Sequence, residues 1–207
     1  MKRKEENKKE KLKILAAADL HGNPWAAEKL SEKAEKEKVD LIVLAGDIHG
    51  TLESRSFVKP FKDRRQKVLF VPGNWDTSLE IGMMKDMYDV KNIDGYYVTY
   101  KDVGIVGVGI SDLSLHLDEK SAFEKMKKNF EMMKVGRKKI LVSHLHAAGT
   151  KAEFSGIGGS RAVRRAIDEF KPDVFIGSHI HEAEGIEEKI GRTKVVQVGP
   201  RGTIVEI

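Results

Sequence analysis

The stretch DLIVLAGD, residues 40–47, joins a wholly apolar run to a glycine and an aspartate. The run Leu41 to Ala45 is short for a helix and consists of aliphatic residues, which is typical of a buried strand. In open α/β sheets, ligands bind beyond the carboxyl ends of such strands. We therefore predict a buried strand that presents Asp47 at its C-terminal end.

Four further apolar runs have the same form, and each also ends in polar residues. They are LKILAAAD (12–19), KVLFVPGNWD (67–76), KKILVSH (138–144) and PDVFIGSHIH (172–181). Segment 96–110 has the pattern of a hairpin that turns at Asp102 to Gly104, and segment 193–207 that of two strands around Gly199 to Gly202. These patterns predict more strands than a single parallel sheet holds.

Helical patterns separate the predicted strands. They cover Pro24 to about Lys38, Ser78 to Met87, Glu119 to Lys134 and Ser160 to Phe170. Asn23 before Pro24 is a typical N-cap followed by proline at the first helical position. Strands that alternate with helices predict an α/β layered fold. No repeat or composition shift marks a second domain, so we predict a charged tail at residues 1–12 and one domain at 13–207.

Composition excludes several kinds of site. The chain has no cysteine, so a metal site must use His, Asp, Glu or Asn, and the absence fits a reducing, cytoplasmic location. No apolar run approaches the roughly 20 residues that span a bilayer. Residues 1–13 hold seven basic and three acidic side chains, which leaves 30 basic and 29 acidic in the remainder. A near-neutral body does not favour a nucleic-acid partner.

Residues of metal-ligand type follow each of the five predicted strands. They are Asp19 and His21, then Asp47, then Asn74 and Asp76, then His144 and His146, and finally His179 and His181. Side chains two apart in an extended segment point to the same side, so we expect Asp19 with His21, and His179 with His181, to converge. One such pair often occurs by chance. Five clusters in succession at strand ends are difficult to explain as hydrogen-bonded core residues.

The ordered clusters resemble the pattern of the calcineurin-like metallophosphoesterase superfamily, which is D-x-H, G-D, G-N-H-D/E, a lone H and G-H-x-H. The matching residues are Asp19/His21, Gly46/Asp47, Gly73/Asn74/Asp76, His144 and Gly177/His179/His181. The resemblance spans residues 14 to about 205 and is greatest to small bacterial and archaeal phosphodiesterases. It implies a two-sheet β-sandwich flanked by helices.

The resemblance also implies a cofactor of two divalent ions, with manganese favoured and iron, zinc or nickel as alternatives. One ion would be held by Asp19, His21, Asp47 and His181, and the other by Asp47, Asn74, His144 and His179. Asp47 would bridge ions that typically lie roughly 3.5 to 4 Å apart. A water between them, acidified by both, would become the hydroxide that attacks phosphorus.

The chain departs from the superfamily pattern at Trp75, which replaces the histidine of G-N-H-D, and at Ser178, which replaces the glycine of G-H-x-H. That histidine is commonly assigned to protonating the leaving oxygen or binding the phosphoryl group, and indole cannot transfer a proton. His49 and His146 could supply the proton or a phosphate contact, or they could orient ligands instead. Together with Asp47 and Asn74, they are our candidate catalytic residues.

Other polar residues have weaker assignments. The motif position of Asp76 predicts that it orients a ligand histidine. One of four arginines could reach a substrate phosphate, although a solvated surface position is the simpler expectation for each. They are Arg55, Arg161, Arg164 and Arg165.

The preferred functional hypothesis is a phosphodiesterase that acts on a small phosphate ester or nucleotide-type diester. A phosphomonoesterase or a nuclease would share the same metal site. A non-catalytic binding module that kept the fold is a third alternative. The complete set of ligand residues argues against it, because relic sites are expected to lose ligands. The physiological substrate and the oligomeric state are not determined by the sequence.

Overall fold

A computed structural model describes residues 11–50, 58–112, 114, 117–133 and 138–207. Two mixed β-sheets pack against each other, and helices cover the outer face of each sheet. The predicted two-sheet sandwich flanked by helices is therefore confirmed. Within the described ranges, no helix combines the length and the apolar character needed to cross a membrane.

Eleven strands are assigned in the described residues. In chain order they are β1 (Lys13–Ala17), β2 (Leu41–Ala45), β3 (Val68–Val71), β4 (Lys91–Asn92), β5 (Tyr97–Tyr100), β6 (Val103–Val108), β7 (Lys138–Ser143), β8 (Val174–Gly177), β9 (Glu187–Ile190), β10 (Thr193–Gln197) and β11 (Thr203–Glu206). The first sheet has the order β11-β1-β2-β3-β4, and the second has the order β5-β6-β7-β8-β10-β9. The five strands that precede the ligand-type clusters are β1, β2, β3, β7 and β8, and each runs parallel to at least one neighbouring strand.

The helices lie between the strands in the chain. They are α1 (Pro24–Lys36), α2 (Lys59–Asp63), α3 (Ser78–Tyr88), α4 (Glu119–Met132) and α5 (Arg161–Phe170), with short 3-10 helices at Lys151–Ser155 and His181–Ala183. The predicted N-cap of α1 is confirmed, because the Asn23 side-chain carbonyl oxygen accepts the backbone N–H groups of Trp25 and Ala26 at 3.0 and 3.2 Å. This cap fixes where the chain leaves the loop that contains His21.

Alternation along the strands produces three apolar layers. In β1, Ile14 and Ala16 face the second sheet, while Leu15 and Ala17 face the helices. The outer face of the first sheet packs on α1, α2 and α3, and that of the second sheet packs on α4 and α5. A period of two is what a strand buried on both faces requires. The central strands are therefore rigid supports for the residues that follow them.

Parts of the strand prediction are confirmed, and other parts differ from the structure. The hairpin of β5 and β6 is confirmed, but its turn lies at Lys101 and Asp102. The predicted turn at Asp102 to Gly104 is wrong, because Val103 and Gly104 already pair with β5. The two closing strands are also confirmed, but β10 belongs to the second sheet and β11 to the first. The edge strand β9 was missed, because its sequence EEKI alternates exposed charged residues with partly buried ones and contains no apolar run.

The boundary between tail and domain lies before Leu12. This side chain is 1% exposed within the core, and its N–H donates to the carbonyl of Ile207 at 2.9 Å. Leu12 therefore belongs to the fold, although the sequence placed it in the tail. Residues 1–10 of the predicted tail lie outside the described residues, and the remaining domain organisation stays a prediction.

Leu12→Ala should lower the free energy of unfolding by about 2 to 5 kcal/mol, as expected for truncation of a buried leucine. Lys11→Ala is the matched control, because Lys11 is exposed and its carbonyl, which accepts from Lys101, is retained. Urea unfolding of both variants measures the difference. Equal effects at the two positions would contradict the boundary.

Candidate metal centre

The candidate site lies where the parallel strands of both sheets end. The turn after β1 runs beside the turn after β2, because the N–H groups of Asp19 and His21 donate to the carbonyls of Gly46 and Asp47 at 3.0 and 2.9 Å. Similarly, the Ser178 N–H after β8 donates to the carbonyl of His144 after β7 at 3.0 Å. Backbone hydrogen bonds therefore join four of the five clusters in two pairs, one in each sheet.

The ligand-type residues occupy turns rather than extended segments. Asp19, His21, Asp47 and His179 have φ values of 55°, 44°, 52° and 77°. The argument that Asp19 and His21 converge because they are two apart in an extended segment is therefore wrong. They converge because left-handed residues curl the backbone just beyond the strand. Such residues are strained, and strain of this kind concentrates at functional sites.

The first group of ligand-type atoms consists of Asp19, His21 and His181. The Nε2 atoms of the two histidines lie 3.2 Å apart, and His181 Nε2 lies 3.8 Å from Asp19 Oδ1. The Asp19 side chain is buried, whereas that of His181 is 57% exposed. The group is therefore closed on the protein side and open toward solvent.

The second group consists of Asp47, His144 and His179. His144 Nε2 lies 3.2 Å from Asp47 Oδ2 and 3.1 Å from His179 Nδ1. It also lies 3.1 Å from the side-chain oxygen of Asn74. Six of the seven residues predicted as metal ligands thus form two neighbouring groups, and the seventh, Asn74, contacts His144 of the second group. The bridging position of Asp47 between the groups remains a prediction.

The second-group atoms are electron-rich and point at one another. His144 Nδ1 lies 3.0 Å from the carbonyl of Ala45, which can only accept, so Nδ1 carries a proton and Nε2 is the ring atom directed at the group. Ser178 supports this arrangement, since its hydroxyl donates to the same carbonyl at 2.8 Å. Burial alone would lower the pKa of His144, but its hydrogen bond to Asp47 and the charges of Asp47 and Asp19 raise it.

Asp19 shows that the residues fit a cation. Its two carboxylate oxygens are buried, and neither has a hydrogen-bond partner among the described residues. Burial raises the pKa of Asp19 to about 6, against the lowering effects of His144, His181 and the nearby backbone N–H of His179. A buried carboxylate without donors is unfavourable unless a cation compensates it. Oxygen and imidazole ligands together suit several divalent transition metals.

Burial also keeps two of the histidines in the form that binds metals. Desolvation lowers the pKa of His21, and it lowers the pKa of His179 to about 4 with a further contribution from His144. The pKa of Asp47 would be raised by burial, but its hydrogen bond to His144 holds it below its usual value. Neutral imidazoles and an ionised carboxylate are therefore the forms expected near neutral pH.

Asp76 holds the turns after β2 and β3. Its fully buried carboxylate accepts the backbone N–H groups of Asp47, Ile48, His49 and Gly73 at 2.7 to 3.0 Å. It also lies 2.6 Å from Nδ1 of His49. The prediction that Asp76 orients a ligand histidine is thus wrong in its target, because Asp76 orients the Asp47 backbone and the His49 ring.

The two candidate proton donors are buried. His49 is 5% exposed and contacts Asp76 as described. His146 Nε2 lies 3.2 Å from the Ile157 carbonyl and therefore donates to it, which leaves the buried Nδ1 without a partner in the described part of the chain. Burial lowers the pKa of His146. This arrangement favours a structural role for His146 over proton donation.

The three arginine candidates of α5 are not brought to the site. Arg164 donates to Asp168 and to the carbonyl of Ala148, and Arg165 lies near Glu169. None of the arginines of α5 lines the cleft above the ligand groups. Arg55 lies outside the described residues.

Trp75 forms part of a cleft of about 410 Å³ that opens above both ligand groups. The other described lining residues are His21, Asp47, Gly50, His179 and His181. The backbone N–H of Trp75 donates to Asp47 Oδ1 at 2.9 Å. The half-exposed indole ring of Trp75 lies edge-on to the His21 ring, with centroids 6.0 Å apart. Sequence reasoning identified Trp75 as a departure but missed that its backbone positions Asp47.

Comparison with known proteins gives a consistent result. The family model of calcineurin-like phosphoesterases matches residues 12–183. The structure is similar to that of TT1561 of Thermus thermophilus, with a TM-score of 0.73, 18% identity, and coverage of 93% of this chain and 91% of that one. No curated protein matches significantly in sequence.

Two more distant structures share the fold. A dimetal phosphatase from Danio rerio has a TM-score of 0.59 at 12% identity and covers 94% of this chain and 90% of its own. GAP50, described as the anchor in the inner membrane complex of Plasmodium, has a TM-score of 0.60 at 13% identity, with 91% and 71% coverage. At sequence identities this low, the structural similarity establishes a shared fold and nothing further.

The chain belongs to the calcineurin-like phosphoesterase family. It is accordingly a metal-dependent hydrolase of phosphate esters, and its two candidate ligand groups agree with a dinuclear centre.

Asp19 should make the stability of the metal-free protein depend on pH. The folded state holds this proton up to about pH 6, whereas the ordinary pKa is 3.8. The contribution of Asp19 to the free energy of unfolding is fully present below about pH 4 and is lost as the pH rises through about 6. The loss amounts to up to roughly 3 kcal/mol. In EDTA, Asp19→Asn should therefore be more stable than wild type at pH 7.5 and similar near pH 4.

Urea unfolding at the two pH values measures this difference. Added Mn²⁺ should then stabilise wild type more than the variant, because the variant lacks a carboxylate ligand. An equal loss of stability in Asp19→Asn at both pH values would contradict the assignment of an uncompensated buried charge.

Proposed function

We propose that the protein is a phosphodiesterase that uses two divalent ions to hydrolyse a small or nucleotide-type diester. The observation that carries the proposal is the pair of neighbouring ligand groups, one of which contains a buried carboxylate without hydrogen-bond donors. The proposed ligands are Asp19, His21, Asp47 and His181 for one ion, and Asp47, Asn74, His144 and His179 for the other.

Two bound divalent ions would neutralise the phosphate charge, orient the ester and lower the pKa of the attacking water. The protein contributes a rigid arrangement of ligands. Asp76 fixes the Asp47 backbone through hydrogen bonds, and the Ala45 carbonyl fixes the tautomer of His144. Such preorganised positioning and electrostatic stabilisation account for most of the catalysis expected in hydrolysis of this kind.

A diester is favoured over a monoester by the charge of the cleft. Among the described residues that line it, none is lysine or arginine. A phosphomonoester carries a second negative charge that cationic side chains typically neutralise, whereas a diester carries one. The exposed Trp75 ring adds an apolar surface where the second ester group would lie.

Manganese is the proposed metal, since Asp, Asn and His ligands suit it, although such sites follow metal availability as well as ligand type. His49 is retained as a candidate proton donor, because it follows Asp47 closely and contacts Asp76. His146 is proposed to orient the loop at Ile157 rather than to transfer a proton. A cytoplasmic location stays a prediction from the sequence.

Purified protein reconstituted with Mn²⁺ should contain two ions per chain. Asp47→Ala should reduce the content at both sites, because this residue is proposed to contact both ions. Asp86→Ala is the control, as Asp86 is an exposed aspartate on α3. Metal analysis after gel filtration measures the content. One ion or none in wild type, or loss of only one ion in Asp47→Ala, would contradict the shared-ligand arrangement.

Trp75 should make turnover depend on the leaving group. General acid catalysis is typically worth about 10² to 10⁴ in rate, and an alkoxide needs a proton that a nitrophenolate does not. Wild type should therefore cleave aryl phosphodiesters well and unactivated alkyl diesters poorly. The rate ratio for bis(p-nitrophenyl) phosphate and a dialkyl ester measures this dependence.

Trp75→His should narrow that ratio by raising turnover of the alkyl ester more than that of the aryl ester. Trp75→Phe keeps an aromatic ring without a transferable proton, so its ratio should remain close to that of wild type. A wild-type enzyme with little leaving-group dependence would show that another acid acts. His49→Gln and His146→Gln would then identify it.

A further inference from the structure

A second groove contains none of the proposed metal ligands, and the function proposed above does not use it. Its cavity volume is about 360 Å³, within the range of roughly 300 to 1,000 Å³ that is usual for small-ligand sites. The N-terminal half of α1 forms one wall, through Trp25, Lys29 and Lys33, and the loop Pro200–Arg201 forms the other. We call it the α1 groove.

Both walls of the α1 groove start at the first ligand group. The near wall follows His21, because Asn23 caps α1 and Trp25 is the second helical residue. The far wall is held by Glu184, whose N–H donates to the His181 carbonyl at 3.2 Å and whose carboxylate binds Arg201. Short chain segments therefore connect both walls of the groove to His21 and His181, whose Nε2 atoms lie 3.2 Å apart.

The charge of the α1 groove is positive. Lys29 has no ion pair with any described residue, and the Lys33 ammonium donates to two carbonyls of the far wall, at 3.2 and 2.8 Å. Arg201 uses its Nε to bind Glu184, and its two terminal amino groups contact none of the described residues. The groove therefore has three cationic side chains near the single carboxylate of Glu184. In contrast, no described residue that lines the cleft above the ligand groups is a lysine or arginine.

Trp25 supplies an aromatic surface in the same groove. Its side chain is 77% exposed, although burial of an indole is strongly favourable. No described aromatic ring stacks on it, and α1 uses other residues to contact the core. An exposed tryptophan beside several cations is the combination that binds a nucleobase together with a phosphate.

We propose that the α1 groove binds the nucleoside part of the substrate, with the base on Trp25 and a second phosphate at Lys29, Lys33 and Arg201. The proposal rests on the phosphodiesterase function and narrows it to nucleotide esters that carry a phosphate beyond the one hydrolysed. The near-neutral body of the chain disfavours long nucleic acids, but this local cationic surface suits a single nucleotide unit.

Three substrates with the same leaving group separate the contributions of the groove. They are bis(p-nitrophenyl) phosphate, the p-nitrophenyl ester of thymidine 5′-phosphate, and that ester with an additional 3′-phosphate. Wild type loaded with Mn²⁺ should show a KM that falls from the first to the third at similar kcat. Because nitrophenolate leaves in every case, differences report binding rather than leaving-group chemistry.

Variants of the full-length chain then assign the binding. Trp25→Ala should raise KM for the two nucleoside esters by about tenfold, the range expected for loss of one stacked base. Trp25→Phe should restore most of this loss. Lys29→Ala should raise KM only for the ester with the additional phosphate, and Lys36→Ala, an exposed lysine of α1 outside the groove, is its matched control.

Direct binding provides a readout that does not depend on turnover. Calorimetric titration with thymidine 3′,5′-bisphosphate should show weaker binding to Trp25→Ala and Lys29→Ala than to wild type and Lys36→Ala. If wild type hydrolyses none of the three esters, the phosphodiesterase function itself fails. If it hydrolyses all three and Trp25→Ala changes KM equally for each, or for none, the groove proposal is overturned while the function stands.

Discussion

The buried carboxylate of Asp76 is the contact on which the site depends. Its oxygens accept four backbone N–H groups from the turns after β2 and β3, including those of Asp47 and Gly73. Hydrogen bonds from several backbone N–H groups compensate for the burial of this carboxylate. Those hydrogen bonds hold Asp47 in a left-handed conformation, and Gly73 is required beside it because a Cβ there would lie 2.1 Å from Asp47 Oδ1.

Asp19 and Asp76 show how two buried carboxylates of one loop cluster differ in their consequences. Asp76 is compensated by the protein itself, whereas Asp19 has no hydrogen-bond donor among the described residues. An uncompensated buried charge destabilises the fold, so binding of a cation at Asp19 would stabilise the protein as well as prepare the site. Folding and metal binding are therefore coupled at Asp19, while Asp76 keeps the second group of ligands positioned in the absence of metal.

Local patterns in the sequence predicted an α/β layered fold and the ligand-type residues, whereas the two-sheet sandwich was implied by the resemblance to the superfamily. Apolar runs indicate buried strands, and the polar residues that follow them are expected at the carboxyl ends of those strands. The sequence did not predict the left-handed turns at Asp19 and His21 or the contacts of Asp76, which arise from pairing between turns far apart in the chain. The α1 groove was missed for the same reason, since Trp25 and Arg201 meet only when β11 pairs with β1.

The replacement of histidine by Trp75 changes the cleft and bears on the proposed role of the α1 groove. Because the backbone N–H of Trp75 holds Asp47, the position can change its side chain without disturbing the ligand groups. The change removes a proton donor and adds an apolar ring beside His21. Binding energy from parts of the substrate remote from the reacting bond can compensate for weaker help to the leaving group. The exposed Trp25 and the adjacent cations are placed to provide that energy, on the side of the site where His21 and His181 meet.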